Sequence, residues 1–383
     1  MPSSAVVYAS SFEALRSRAA EWSARLAMIR RAERFVYSST YYVGPDDVGH
    51  STLQALGDAA ERGVHPTLVI DRFGQRLGAS AWGRTESRRV GQWLAQAEAR
   101  GVKVVWTAPP TWTRTLVGGG HHVKIQLCES GPALFASSNL SSHSFHAWGE
   151  FSALLDGPVV QTLMDALQAV IPGPSADRLD PRPLGDAPLR FEWWWCDPSA
   201  DPTLFAPFRQ GALNPITEGL IDSIEGAQRS VSISSFYVKP SAHLRDAILR
   251  AARRGVSVEV FHSGPDALDG AEASWLAAAL DYPALLAAGV AVHEVEGGEH
   301  SKLVLVDEQL AVFGSYNLDH AAHDVVAEAM LASADPRVVQ TVAHVFASLR
   351  VAPDCRRVRH PRANWPLTRW ARALAVRPVR RWL

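Results

Sequence analysis

A histidine, a lysine, a carboxylate and an asparagine recur twice in this sequence at one spacing. His300-Ser301-Lys302 is followed by Asp307 and then by Gly314-Ser315-Tyr316-Asn317. His122-Val123-Lys124 leads at the same intervals to Glu129 and Ala136-Ser137-Ser138-Asn139. The two sets stand 178 residues apart throughout, and eleven residues beyond each asparagine comes a glutamate, Glu150 or Glu328. Only four of the 38 basic residues are lysine, and two of those four hold equivalent places in this pattern. The residue types define a chemistry. Histidine serves near neutral pH as nucleophile and as general acid–base. Lysine and asparagine supply donors to anionic oxygens, as a phosphoryl centre requires, with lysine acting as a compact point charge. No Asp/Glu/His cluster with metal-ligand spacing accompanies them, so the lysines are expected to stand in for a metal ion. Each glutamate would hold a histidine ring nitrogen and so set its tautomer and orientation.

The elements that must position these groups follow from period-two alternation. Residues 302–306 and 310–314 read as strands joined by a polar turn around Asp307 and Glu308. Residues i and i+2 of a strand share a face, so His300 and Lys302 emerge together, and Ser315 and Asn317 do likewise just past the neighbouring strand. Both motifs lie within a longer duplication. Residues 32–43 (AERFVYSSTYYV) parallel residues 227–238 (AQRSVSISSFYV), residues 59–64 parallel 251–256, and residues 100–104 parallel 288–292. The offset drifts from 195 at Arg34–Arg229 to 192 at Gly63–Gly255 and 188 at Gly101–Gly289, as one ordered duplication with small loop differences would give.

Each copy begins with a β-branched and aromatic run, residues 36–43 or 231–238, read as a strand. A helix follows, over residues 51–62 in the first copy and up to 254 in the second. Gly63 or Gly255 ends it at a C′ position, and a second strand comes next, residues 67–70 or 256–261. Strand–helix–strand order predicts an α/β fold of two tandem repeats. Each would be a mostly parallel mixed sheet flanked by helices, and a pseudo-twofold relation would bring both patches to one cleft. The expected domains are residues 1–171, a Pro-rich linker at 172–202, residues 203–354, and a basic Trp-containing tail at 355–383. The run Trp193-Trp194-Trp195 is expected to be packed away from water.

The pattern HxK(x)4D(x)6GSxN, complete in the second copy, resembles that of the phospholipase D superfamily, and the duplication covers most of the chain. The first copy departs from it at Glu129 and Ala136. Asp46-Asp47-Val48-Gly49 with the helix end AAERGV, and residues 314–319 (GSYNLD), resemble the bacterial cardiolipin synthases in particular. The resemblance implies a two-step exchange at a phosphodiester that needs no cofactor and no metal. One histidine attacks phosphorus to give a phosphohistidine and the other protonates the leaving alcohol, then activates the incoming alcohol or water. It implies His122 as nucleophile and His300 as acid/base, with Lys124, Lys302, Asn139 and Asn317 gripping the non-bridging oxygens. Ser137 and Ser315 would bind substrate, Glu150 and Glu328 would orient the histidines, and Glu129 and Asp307 would be structural acids. The implied function is a phosphatidyltransferase forming cardiolipin from phosphatidylglycerol, with phospholipid hydrolysis or a phosphodiesterase/nuclease as alternatives.

Composition narrows these alternatives. An apolar fraction of 47% with 20% charged residues is that of a globular chain. The formal net charge of −1 averages two unlike parts. The last 28 residues carry nine arginines, three tryptophans and no acid, whereas the remainder has 29 basic against 39 acidic residues, a net of −10. A body so acidic disfavours a nucleic-acid partner, whose phosphates demand basic surface. The tail reads as an interfacial anchor on anionic phospholipid, a helix after Pro366 placing Leu367, Trp370, Ala371 and Leu374 opposite Arg369 and Arg372. A helix docked on the body is the competing reading. Three scattered cysteines make neither a disulfide framework nor a zinc site. Residues 1–8 lack the pattern of a signal peptide, so the expected location is cytoplasmic, peripheral on the inner face of the membrane.

Overall fold

A computed structural model describes residues 4–107, 120–198, 203–204, 206, 211–267, 272–359 and 365–380, except the side chains of residues 80 and 81. The chain divides into two compact units, Met1–Trp193 and Trp194–Leu383. Strands of the first are β1 (Ser4–Ala9), β2 (Ser11–Ala14), β3 (Phe35–Thr40), β4 (His65–Asp71), β5 (Lys103–Thr107), β6 (Gly120–His121), β7 (Lys124–Cys128), β8 (Ala133–Ala136) and β9 (Ser152–Asp156). Its sheet runs β2-β9-β8-β7-β3-β4-β5. Strand β10 (Leu189–Cys196) carries the chain from one unit into the next. The second contains β11 (Ser230–Ser234), β12 (Ser257–Ser263), β13 (Ala291–Val295), β14 (Leu303–Val306), β15 (Leu310–Gly314), β16 (Val326–Ser333) and β17 (Cys355–Arg357), ordered β16-β15-β14-β11-β12-β13-β17.

The duplication extends to strand register: Phe35 pairs with His65 as Ser230 pairs with Ser257, each separated from its counterpart by the offsets read in the sequence. The sheets are mixed, as expected, but the parallel share is smaller than strand–helix–strand order implies. Parallel pairing joins β3-β4-β5 and β11-β12-β13, while β2-β9-β8-β7-β3 and β16-β15-β14-β11 pair antiparallel. The motif strands pair antiparallel, β7 with β8 and β14 with β15, because a short turn joins them and no crossover helix intervenes.

Local chemistry sets the element ends. Strand β3 stops at Thr40, whose hydroxyl donates to the Tyr42 carbonyl at 2.8 Å and turns the chain out of the sheet before residue 43. The following helix starts at Asp47 rather than 51, because the Asp46 carboxylate caps it by accepting the Val48 and Gly49 N–H groups, both at 3.1 Å. Gly63 and Gly255 close the equivalent helices at φ of +89° and +93°, the left-handed conformation that favours glycine. Apolar faces meet over one side of each sheet, around Ile29, Val36 and Leu56 in the first unit and Leu220, Ile233 and Ile248 in the second. Trp193, Trp194 and Trp195 are all buried.

Within the segment read as a linker, residues 174–185 form neither helix nor strand, while residues 189–196 are strand β10. The irregular stretch is nonetheless tied to the first motif hairpin. Arg182 reaches the Asp156 carboxylate at 2.7 Å and the Glu129 carbonyl at 3.2 Å, and the Asp180 N–H donates to that same carbonyl at 2.9 Å. Residues 199–202 lie outside the described residues.

The tail docks on the second unit, as the competing reading has it. Strand β17 extends the second sheet by pairing with β13, and the helix Leu367–Val376 docks on the same unit. Ala373 and Val376 join the core, Trp365 packs at 5.7 Å from Trp275, and Arg369 lies 5.2 Å from that ring. Arg372 pairs with Glu272 and Arg380 with Asp281, both at 2.6 Å. These ion pairs and ring contacts draw the arginine side of the helix onto the body, so Leu367, Ala371 and Leu374 form an outward row, with Leu367 88% exposed. Residues 360–364 and 381–383 lie outside the described residues. No helix among the described residues is long and apolar enough to cross a membrane.

Candidate active site

Each repeat assembles its motif at one edge of its hairpin. His122 and His300 are buried but not sealed, at 6% and 5% exposure, and Lys124 and Lys302 lie deeper at 0% and 1%. Each ammonium donates to the carbonyl of its own motif histidine, Lys124 Nζ to His122 O at 2.7 Å and Lys302 Nζ to His300 O likewise. Two almost fully buried cations at equivalent places carry a large desolvation penalty, which only compensating negative charge or hydrogen bonding offsets.

The acids of the pattern hold backbone. Asp307 accepts the N–H groups of Gln228, Arg229 and Ser230 at 2.8, 2.7 and 2.8 Å, gripping the entry to β11. Burial pushes its carboxyl up, but the hydrogen bonds from Gln228, Ser230 and Arg229 outweigh this and hold it below the usual range. Glu129 performs the same task in the first repeat, accepting the Glu33 and Phe35 N–H groups at 2.7 and 3.2 Å. Its longer side chain therefore changes the reach and not the role. Ala136 and Gly314 both avoid positive φ. A Cβ on Gly314 would nevertheless come within 2.2 Å of the Ala329 carbonyl oxygen, a clash the first repeat avoids at Ala136.

Ser137 donates to Glu150, and Ser315 to Glu328. The same hydroxyls accept the N–H groups of Phe151 at 2.9 Å and Ala329 at 3.1 Å. This engagement makes the serines holders of the glutamates. Asn139 is fixed through its amide oxygen, which accepts the Tyr41 N–H at 3.2 Å. In the second repeat the Asn317 Oδ1 is buried with no hydrogen-bond partner among the described residues, a costly arrangement for an amide unless a ligand meets it.

Residues that sequence reasoning passed over complete each site. Tyr41 packs edge-on against His122 at 4.6 Å and 88°, and Phe236 against His300 at 5.0 Å and 76°. The signal was available, since Tyr41 and Phe236 are counterparts in the duplicated segment. The residue between motif serine and asparagine is pinned by the first helix of its own repeat. Ser138 donates to Glu21 and accepts from Arg25 at 3.0 Å, and the Tyr316 hydroxyl meets Thr217 at 2.7 Å. These helices show no motif, so nothing local in the sequence marks them. His121 is a neighbour and not a participant in acid–base work, because burial, with the Lys124 charge, pulls its imidazole down to about 3.

Comparison with known proteins fits this geometry. Residues 220–350 match the domain described as cardiolipin synthase, PLD-like domain. Cardiolipin synthase A of Erwinia tasmaniensis is 29% identical over 285 residues, covering 72% of this chain and 54% of that protein. This chain thus spans about half the length of that relative. Cardiolipin synthase B of Salmonella typhi is 25% identical over 358 residues, covering 88% of this chain and 80% of that one. The crystal structure of phosphatidylserine synthase from Haemophilus influenzae has the same fold, with a TM-score of 0.72 at 16% identity over 97% of this chain and 95% of that one. Two α/β repeats, each presenting a histidine, a buried lysine and an asparagine at the same spacing, resemble the phospholipase D superfamily in fold and motif. Within that superfamily, the proteins it resembles are the bacterial cardiolipin synthases.

Proposed function

We propose that this chain is a metal-independent phosphatidyltransferase that converts two phosphatidylglycerol molecules to cardiolipin and glycerol through a phosphohistidine. The observation that carries this reading is the pair of buried lysines, each bonded to the backbone of its motif histidine. Positive charge so placed stabilises the oxygens of a phosphoryl group in its transition state, where charge develops, better than water would. In the first step His122 attacks phosphorus and the bond to the glycerol oxygen breaks, His300 giving that oxygen its proton. In the second, a primary hydroxyl of another phosphatidylglycerol attacks the phosphohistidine, His300 takes the hydroxyl proton, and His122 leaves. Glu150 and Glu328, held by Ser137 and Ser315, orient the two imidazoles, and Lys124, Lys302, Asn139 and Asn317 grip the non-bridging oxygens. With water as acceptor the same steps are a phospholipase D hydrolysis.

The reaction would take place at the cytoplasmic face of the cell membrane. Support comes from the outward row Leu367, Ala371 and Leu374 and from the exposed Arg357, Arg359 and Arg377 of the same tail, apolar and cationic groups suited to anionic lipid. The test is product analysis by thin-layer chromatography from labelled phosphatidylglycerol in mixed micelles, with an oligonucleotide digest in parallel. Cardiolipin plus glycerol is expected. Lipid turnover retained in the His122→Ala, His300→Ala double variant would end the catalytic assignment, and cleavage of the oligonucleotide alone would favour the nuclease.

A further inference from the structure

Behind each motif histidine lies a buried carboxylate, and the two repeats supply it from exchanged positions. The duplication aligns Asp71 with Ser263 at an offset of 192, and His121 with Glu299 at an offset of 178. In the first repeat the acid stands at the end of β4. Asp71, 1% exposed, accepts the His121 N–H at 2.8 Å, the Thr107 hydroxyl at 3.0 Å and the Gly74 N–H at 2.7 Å. The chain closes directly onto this carboxylate. Gly120 has φ of +125°, and a Cβ there would lie 1.8 Å from Asp71 Oδ2.

In the second repeat the acid is the residue before the histidine. Glu299, 2% exposed, accepts the Ser234 hydroxyl at 2.8 Å, the Ser301 N–H at 3.0 Å and the Ser301 hydroxyl. Its side chain therefore folds past His300 onto the residue beyond. The place of Asp71 is taken by Ser263, whose hydroxyl accepts the Glu299 N–H at 3.0 Å and donates to the Glu299 carbonyl at 3.1 Å. A neutral side chain would satisfy these donors at less desolvation cost. What a carboxylate adds is shorter, stronger, charge-assisted hydrogen bonds, which hold a backbone more closely. A nucleophile or acid that must meet phosphorus within about 0.5 Å of the productive geometry needs such support.

We propose that Asp71 and Glu299 are positioning residues, each clamping the backbone beside the histidine of its own repeat. The inference rests on the reading that His122 and His300 carry out the chemistry. Two measurements on the full chain test it. The first needs no substrate: the rate at which diethylpyrocarbonate modifies each histidine, resolved by tandem mass spectrometry. Glu299→Gln is expected to raise the rate at His300 at least threefold and leave His122 unchanged, and Asp71→Asn the reverse. The second is steady-state turnover of phosphatidylglycerol, where each variant is expected to lose tenfold or more in kcat with KM within threefold. Ser39 already stands where the second repeat has Ser234, so Asp71→Ser with His121→Glu and Val123→Ser rebuilds the second clamp in the first repeat. That triple variant is expected to recover at least a third of the kcat lost by Asp71→Ser alone. Should Glu299→Gln fail to fold, Glu299→Asp replaces it. Histidine reactivity unchanged in folded variants, or equal changes in both repeats, overturns the proposal, as does a triple variant that is folded but no better than Asp71→Ser. A wild-type chain without lipid turnover would count against the proposed function alone, because the modification rates still report on the clamps.

Discussion

Replacing Asp307 separates the hairpin's support from its chemistry. Its carboxylate accepts three backbone N–H groups at the start of β11, and its own backbone sits at φ of 53°. Asp307→Ala removes all three acceptor contacts. Hydrogen bonds to a charged group contribute roughly 1.5–3 kcal/mol each when sealed from water, but this site lies near the surface and water can replace part of the loss, so about 1.5–3 kcal/mol in total is expected. Alanine also tolerates positive φ less well than aspartate, adding about 1 kcal/mol. The combined cost is about 2.5–4 kcal/mol, or a fall in Tm of roughly 5–15 °C for a unit of this size. Asp307→Asn keeps the backbone preference and one acceptor oxygen, so it should cost only about 1 kcal/mol. The pH dependence has a definite sign. The folded carboxyl lies below its ordinary value, so its stabilisation is complete above the unfolded value of about 3.9 and disappears as pH falls through the lower folded value. Urea denaturation of wild type and both variants from pH 8 to pH 3 is the assay. The gap between wild type and Asp307→Ala should stay constant down to about pH 5 and narrow below pH 4. A gap that closes between pH 8 and 6, or equal costs for alanine and asparagine, would rule out Asp307 as a charged acceptor for the entry to β11.

Three other outcomes follow from the same geometry. Single His122→Ala and His300→Ala variants should each lose at least about a thousandfold in kcat, read by cardiolipin formation, because either removal leaves one step without its nucleophile or its proton. Gly314→Ala should destabilise by about 1–3 kcal/mol, seen by calorimetry, because its Cβ meets backbone at Ala329, whereas Ala136→Gly should cost only about 0.5–1 kcal/mol. Leu367→Glu with Leu374→Glu should weaken sedimentation with anionic vesicles while leaving Tm within about 2 °C, since both side chains face solvent. Deleting the whole tail is a poorer experiment, because it removes β17 and two core residues as well.

Much of the fold was legible because duplication writes the same instruction twice. The drifting offset aligned the strands, the two cap glycines and the motif hairpins without any coordinates, and strand register reproduces it. The mixed character of the sheets was readable too, but their balance was not. Hairpin strands pair antiparallel whatever the helices around them do, and the linear order of elements weighs the helices more heavily. The tail shows a similar limit. A helix after Pro366 was predictable from local sequence, but the face it buries depends on Glu272, Asp281 and Trp275, which lie about a hundred residues earlier.

The side chains proposed for the chemistry were legible in the sequence alone. A repeated spacing on alternating strands fixes what emerges together, and the scarcity of lysine marks the two that matter here. Lys103 is exposed on β5, and Lys239 is buried, its ammonium drawn down by desolvation. What holds those side chains in place was set by contacts between distant parts of the chain. Glu21, Arg25 and Thr217 reach the motifs from helices with no signature, and Asp71 and Glu299 occupy different positions in the two repeats. Such partners are chosen by proximity in space. A carboxylate can satisfy the same donors from any element that passes within hydrogen-bonding distance, so no spacing along the chain records it.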